Sequence, residues 1–159
     1  MNSRDKIFQN LKKFKNNSQL EIMTFESNYE NILEEFITNA KLAGASVYTS
    51  VDEIHELKNK HFEDSFYYKS TLGVAENGAL WCTDLQEKRD KLFSCNDLII
   101  EVNANDIVSN MHNAYEVLDF TTSTFGTFIA GPSKTADIEQ SLVIGAHGAM
   151  QLHILILKN

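Results

Sequence analysis

Two continuous apolar segments of strand length constrain the fold of this chain more than any other feature. They are DLIIEV at residues 97–102 and QLHILIL at residues 151–157. Neither shows the strict alternation of apolar and polar residues that is typical of a strand with one face in water. Runs of this kind occur in parallel sheets that are covered on both faces. The two segments therefore predict an α/β protein with a mostly parallel sheet.

Helical patterns alternate with the strand patterns along the chain. Ser27 and Glu30 have capping-box spacing, an apolar stripe follows them, and Gly44 ends the stripe. Ser50 and Glu53 form a second capping box, which predicts a helix through about residue 61. Apolar spacing predicts three further helices, at residues 4–15, 105–118 and 137–146. β-branched and aromatic residues predict the remaining strands, at residues 45–50, within 65–82 and at 124–130.

Length and charge limit the class of protein. A chain of 159 residues is most simply one domain, and we expect a helical N-terminal part at 1–65 and a core at 66–159. The net charge of −8 argues against nucleic acid as a partner, because phosphate backbones attract basic surfaces. The sequence contains no run of 18 apolar residues and begins without a signal-peptide pattern. We therefore expect a cytoplasmic protein that does not bind membranes.

The chain lacks the residues for a metal site of its own. Its two cysteines, Cys82 and Cys95, are fewer than the four thiolates that an iron–sulfur cluster usually requires. His55 and His61 do not have the i, i+4 spacing of a helical metal site. We expect no metal and no cofactor to be bound by this chain alone.

The segment GPSKTAD at residues 131–137 predicts a ligand-binding loop. Gly131 permits a tight exit from the preceding strand, and Ser133, Thr135 and Asp137 are favoured helix N-cap residues. Backbone amides at a helix N-terminus attract anions, and Lys134 adds a positive charge. The sequence therefore predicts an anion site at these residues. The alternative is that they only cap a helix.

A second turn follows the predicted helix. Gly145 suits the end of a helix, and Gly148 allows the chain to turn into the last strand. His147 stands between them as a candidate acid or base, a ligand, or a hydrogen-bonding strut. We expect residues 125–130 and 152–157 to be neighbouring strands, with the helix at 137–145 crossing between them.

The segment GPSKTADIEQSLVIGAHGAMQLHILIL resembles the signature of the LUD-domain lactate-utilisation proteins, in particular their C-type subunit. Ala149 stands where that family usually has proline. Upstream, GVAENGALW resembles a second family segment, in which Glu76 and Gly78 match while Asn77 and Ala79 replace two threonines. The resemblance covers roughly residues 70–157.

The resemblance implies a three-layer α/β/α fold similar to that of the sugar-phosphate isomerase and CoA-transferase superfamily. It also implies an accessory role beside cysteine-rich iron–sulfur subunits that oxidise L-lactate to pyruvate. The clusters would then belong to the partner subunits. The ligand-binding residues would be Gly131, Ser133, Lys134, Thr135, Asp137, Gly145 and His147, with a small carboxylate or phosphate as ligand.

Glu76 and His147 are the candidate catalytic residues in an alternative reading. The tripeptide Glu76-Asn77-Gly78 looks like the segment around the nucleophilic glutamate of CoA-transferases, where a carboxylate accepts an acyl group. Asn-Gly is also a common turn sequence, so the alternative is that the tripeptide only forms a turn. We expect Ser133, Lys134, Thr135 and Asp137 to lie at one mouth of the sheet, with Glu76 and His147 near enough to share a cleft with them. A purely structural module is the third possibility.

Overall fold

The computed structural model describes Arg4 and residues 31–60, 64–83, 89–121, 125–136, 142–144 and 148–158. Apart from Arg4, the helix predicted at 4–15 lies outside these residues, and so does the Ser27–Glu30 capping box. The helices are α1 (Ile32–Ala43), α2 (Val51–Asn59), α3 (Lys91–Ser94) and α4 (Met111–Val117). The strands are β1 (Ser46–Tyr48), β2 (Ser65–Lys69), β3 (Gly73–Val74), β4 (Ala79–Thr83), β5 (Asp97–Asn103), β6 (Ile107–Val108), β7 (Gly126–Ile129), β8 (Lys134–Ala136), β9 (Leu142–Ile144) and β10 (Gln151–Leu157).

Four parallel strands form the central sheet, in the order β1-β10-β5-β2. The two continuous apolar segments are its inner strands, β5 and β10, which pair along their full length. Leu98 and Ile154 point to one side of this parallel sheet, where α1 contributes Phe36 to the same core. Ile99 and Leu155 point to the other side, against α2. The α/β class, the parallel sheet and the three-layer α/β/α arrangement are confirmed.

Local signals explain where the first two helices begin and end. The Asn31 side chain accepts a hydrogen bond from the Glu34 amide at 3.3 Å and caps α1. Gly44 ends α1 with φ of 103°, a left-handed conformation that suits glycine. The predicted Ser50–Glu53 capping box opens α2, with both of its reciprocal hydrogen bonds formed. The capping residues therefore determine where α1 begins and ends and where α2 begins.

A second, mixed sheet has the order β6-β3-β4-β7. It contains β7, whereas β10 lies in the parallel sheet, so the prediction that residues 125–130 and 152–157 are neighbours in one sheet is wrong. The reason is that β7 pairs antiparallel with β4, and Phe128 lies opposite Trp81 with ring centroids 4.7 Å apart. A Cβ atom at Gly126 would lie 2.2 Å from the Trp81 ring, so any other residue there would have to displace the ring.

The helix predicted at 137–146 is contradicted at residues 142–144. These residues form β9, which pairs antiparallel with β8. β-branched Val143 and Ile144 favour an extended backbone, and their pairing with β8 outweighs the helical apolar spacing. Residues 137–141 and 145–147 lie outside the described part of the chain. The helix predicted at 105–118 is also interrupted, because a 3₁₀ turn at Ala104–Asp106 and β6 precede α4.

Candidate functional site

A cleft of about 520 Å³ opens beside the turn that follows β7. Residues 131–134 and 148–149, two separated pieces of the glycine-rich motif, form part of its wall. The remaining described lining residues are Ala43, Leu92, Phe93, Leu98, Phe128, Ile129 and Ala130. The fold therefore gathers Gly131, Ser133 and Lys134 in one cavity, together with apolar side chains that the motif does not include.

Close backbone contacts hold this wall in place. Gly131 has φ of 71°, and a Cβ atom there would lie 2.3 Å from the carbonyl oxygen of Ala43. The Ser133 amide donates a hydrogen bond to the Ala149 carbonyl at 2.9 Å. A Cβ atom at Gly148 would lie 3.1 Å from the Ser133 Cβ atom. Glycine at these positions lets the two motif segments approach α1 and each other.

Lys134 links the cleft to the end of α1. Its Nζ atom donates a hydrogen bond to the Ala43 carbonyl oxygen at 2.8 Å, at the C-terminus of that helix. A cation is favoured there, because the last carbonyls carry the negative end of the helix dipole. An ammonium group has three N–H donors, so this one bond does not use up its donor capacity. Lys134 is exposed and can therefore both cap α1 and meet a ligand in the cleft.

The described part of the motif loop, residues 131–136, does not begin a helix, although the sequence predicted a helix N-terminus there. Lys134–Ala136 is strand β8, so residues 133–136 offer no first-turn amides to an anion. The cleft also lies beside the amino-terminal ends of the parallel strands, because Ala43 precedes β1, Leu98 is near the start of β5, and Ala149 precedes β10. Within residues 131–136, attraction for an anion must therefore come from the Lys134 charge and from side-chain and loop donors.

The other predicted ligand-binding residues are described only in part. Thr135 lies in β8, opposite Val143 of β9. Asp137, Gly145 and His147 lie outside the described residues, and their roles stay predictions.

Glu76 has a structural role in a turn. Its Oε2 atom accepts a hydrogen bond from the Met111 amide at 2.9 Å, in the first turn of α4. The Asn77 side chain accepts from the Ala79 amide at 3.1 Å, and Gly78 has φ of 66°. Glu76 is exposed and is not among the residues that line the cleft. These contacts favour the turn interpretation of Glu76-Asn77-Gly78.

A buried histidine cluster lies on the α2 side of the parallel sheet, and the sequence did not predict it. His153 is 4% exposed and lies between Tyr48 and Asp97. Its Nε2 atom is 3.1 Å from the Asp97 carboxylate, which can only accept, so Nε2 donates. In the neutral ring Nδ1 then accepts from the Tyr48 hydroxyl, also at 3.1 Å. The cluster joins β1, β10 and β5 through side chains as well as backbone.

A buried carboxylate lies on the same side of the sheet. Glu101, 7% exposed, forms an ion pair with Lys58 of α2 at 2.9 Å and accepts a hydrogen bond from Tyr67. Burial opposes the charge on Glu101, but the hydrogen bonds from Tyr67 and Lys58 and the nearby lysine charges outweigh it and lower its pKa. Burial, together with the bond to Glu101, raises the pKa of Tyr67.

The sequence did contain a signal for both clusters. Glu101 and His153 are the polar residues in the interior of the two segments DLIIEV and QLHILIL, which are otherwise apolar there. Buried polar groups require hydrogen-bond partners, so each of them implied a partner on a neighbouring element. The identity of that partner depends on strand order and register, which the sequence did not reveal.

The fold and the cleft define an α/β protein in which the described residues of a glycine-rich motif line part of a ligand-sized cavity. The family model described as the LUD domain matches residues 16–157, and the chain belongs to that family. Membership supports a role related to lactate utilisation at the level of the family.

Among solved structures, the chain is similar to a DUF162 family protein from Deinococcus radiodurans, with a TM-score of 0.53 and 12% sequence identity. The alignment covers 80% of this chain and 96% of that one, and it supports the fold. No curated protein matches the chain. Within the part of the chain that the structure describes, no helix combines the length and apolarity needed to cross a membrane.

Proposed function

We propose that this protein is a cytoplasmic accessory subunit of an iron–sulfur system that oxidises L-lactate, and that its cleft binds a small carboxylate or phosphate ligand. The observation that carries the proposal is the cleft itself. It gathers Gly131, Ser133 and Lys134, residues of the motif that resembles the lactate-utilisation signature. Lys134 gives this wall a positive charge.

The state of the cysteines supports placing the clusters in partner subunits. Cys82 and Cys95 are both buried, with 0% and 2% of their surface exposed. Burial raises the pKa of Cys82 to about 12 and also raises the pKa of Cys95. Iron–sulfur clusters are held by thiolates, and these thiols are strongly biased toward the protonated form. The electron carriers would therefore come from cysteine-rich subunits that bind this chain.

Ligand binding can be tested by calorimetry and thermal melts with lactate, pyruvate and phosphate at matched ionic strength. We expect Lys134→Met to weaken anion binding about two- to fivefold, since a charge at such a position contributes about 0.3–1 kcal/mol. Lys158→Met is the control, because Lys158 is also exposed but follows β10 at the opposite end of the parallel sheet. Equal melting temperatures in all buffers, with no heat of binding, would contradict the ligand part of the proposal.

Partner binding needs a separate test. The purified chain, mixed with the cysteine-rich iron–sulfur subunits of a lactate-utilisation system, should elute with them in size-exclusion chromatography. The absorbance of the iron–sulfur clusters should then appear in the fraction that contains this chain. Separate elution at micromolar concentrations would contradict the accessory role, whatever the result of the ligand titrations.

Mass spectrometry discriminates this proposal from the CoA-transferase-like alternative. A transferase that used Glu76 as nucleophile would acquire a covalent adduct at Glu76 after incubation with acyl-CoA. We expect no adduct, because the Glu76 carboxylate caps α4 through the Met111 amide. An adduct that is absent from Glu76→Gln would favour the alternative.

A further inference from the structure

We propose that the ligand of the cleft is a carboxylate that carries an apolar tail, such as a medium-chain 2-hydroxy acid, rather than lactate itself. This inference rests on the proposed function, because it assumes that the cleft holds the anion. It goes beyond the proposed function by specifying the chemistry of the ligand beyond its charged group.

The size of the cleft is the first argument. Its volume is about 520 Å³, within the roughly 300–1,000 Å³ of pockets that hold drug-sized ligands. Lactate has six non-hydrogen atoms, and at about 30 Å³ each, the share of one water molecule in the liquid, it would fill about 180 Å³ at most. A ligand that fills the cleft therefore has a substantial part beyond the three-carbon acid.

The lining of the cleft determines the chemistry of that part. Phe93 is 39% exposed and is accessible to a ligand, whereas Leu92 and Leu98, each 1% exposed, offer a ligand almost no surface. These side chains line the cleft together with Ile129 and Ala149. They offer no hydrogen-bond partner, so the ligand surface they contact should be apolar. Covering the exposed part of Phe93 removes apolar surface from water, which favours binding.

The polar groups identify the head of the ligand. Ser133 and Lys134 are adjacent in the turn after β7 and are the polar or charged side chains among the described lining residues. No aspartate or glutamate is among these described residues, and the negative end of the α1 dipole at Ala43 is met by the Lys134 ammonium group. A carboxylate can accept hydrogen bonds from both a hydroxyl and an ammonium group. The combination of this wall with the apolar floor fits an amphipathic carboxylate.

A homologous series of ligands tests the inference on the unmodified protein. Lactate, 2-hydroxybutanoate, 2-hydroxyhexanoate and 2-hydroxyoctanoate would be titrated by calorimetry, at concentrations below those at which they aggregate. We expect the Kd to fall about fourfold for each added methylene group until the floor is covered, the factor that corresponds to about 0.8 kcal/mol per buried methylene. The matching 1-alkanols, which lack the carboxylate, should bind more weakly at equal chain length.

Two variants locate the effect in the cleft. Phe93→Ser should reduce the gain in affinity per methylene, because Phe93 lines the cleft. Phe120→Ser is the matched control, since Phe120 is 49% exposed and lines a different groove, beside Trp81 and Tyr115. Circular dichroism would confirm that both variants are folded before they are titrated.

The outcomes separate this inference from the proposed function. If lactate and 2-hydroxyoctanoate bind equally well and Lys134→Met weakens the binding of both, the inference of an apolar tail is wrong, whereas the proposed anion site is supported. If the alkanols bind as tightly as the acids, the inference that the cleft recognises a carboxylate group is wrong. If no acid of any length binds, both proposals fail at this cleft. A chain-length dependence that is equal in Phe93→Ser and the unmodified protein would also overturn the inference.

Discussion

Replacing Gly131 by alanine should destabilise the protein and distort the cleft. An L-residue in the left-handed conformation that Gly131 adopts costs about 1–2 kcal/mol. The new Cβ atom would also lie 2.3 Å from the Ala43 carbonyl oxygen, so the end of α1 or the turn must move. Forcing extra atoms into a packed region costs typically about 1–3 kcal/mol. Together these effects predict a loss of about 2–5 kcal/mol in the free energy of unfolding.

Gly148→Ala is the matched control in the same wall. Gly148 is not among the described glycines with positive φ, and its added Cβ atom would meet the Ser133 side chain at 3.1 Å rather than backbone. We expect a change of less than about 1 kcal/mol, because alanine also restricts the unfolded chain. Urea unfolding, followed by Trp81 fluorescence and far-UV circular dichroism, measures both variants. Equal losses in the two variants would refute the argument from backbone conformation and contact.

Three further predictions concern the sheets. The folded protein lowers the pKa of Glu101, so its contribution to stability is complete above the unfolded value of about 4.3 and is lost as the pH falls through the folded value. Lys58→Met should therefore lower the free energy of unfolding at pH 7. In urea titrations, the difference between the variant and the unmodified protein should shrink toward pH 3, and a difference that does not depend on pH would contradict this. Gly126→Ala should change the emission of Trp81, since the ring must move, and an unchanged spectrum would show that it does not. Cys82 should react with a maleimide at pH 8 only after unfolding, because the folded thiol is buried and protonated; rapid labelling of the native protein would contradict its burial.

Local signals predicted the parts of the fold that short-range chemistry decides. Gly44 ended α1, the Ser50–Glu53 box opened α2, and the two continuous apolar segments became the inner strands β5 and β10. Each of these features depends on residues within a few positions of one another. The interactions that fix them are therefore visible in the sequence.

The failures arose where residue types suit more than one local structure, or where partners are distant in sequence. Ser133 and Thr135 are residue types that favour turns as well as helix starts, so they could not distinguish a helix from the extended backbone of β8. The place of β7 depends on Trp81, which lies more than forty residues away. Gly131, Ser133 and Lys134 line one wall of the cleft, but their role in binding a ligand stays a prediction, and the apolar floor of the cleft comes from α3 and β5, outside the motif.

The strand order of the parallel sheet has a consequence for biosynthesis. β10 lies between β1 and β5, and among the described strands it alone pairs with β1. A nascent chain can join β2 to β5 on the ribosome, but β1 has no strand partner until residues 151–157 have emerged. Until then, the edge of β5 that β10 will occupy is an unpaired edge of the kind that favours aggregation. Slow translation of the segment before β10 would lengthen this exposure. It should therefore increase aggregation of the nascent chain, and binding of a chaperone to the exposed edge of β5 should reduce it.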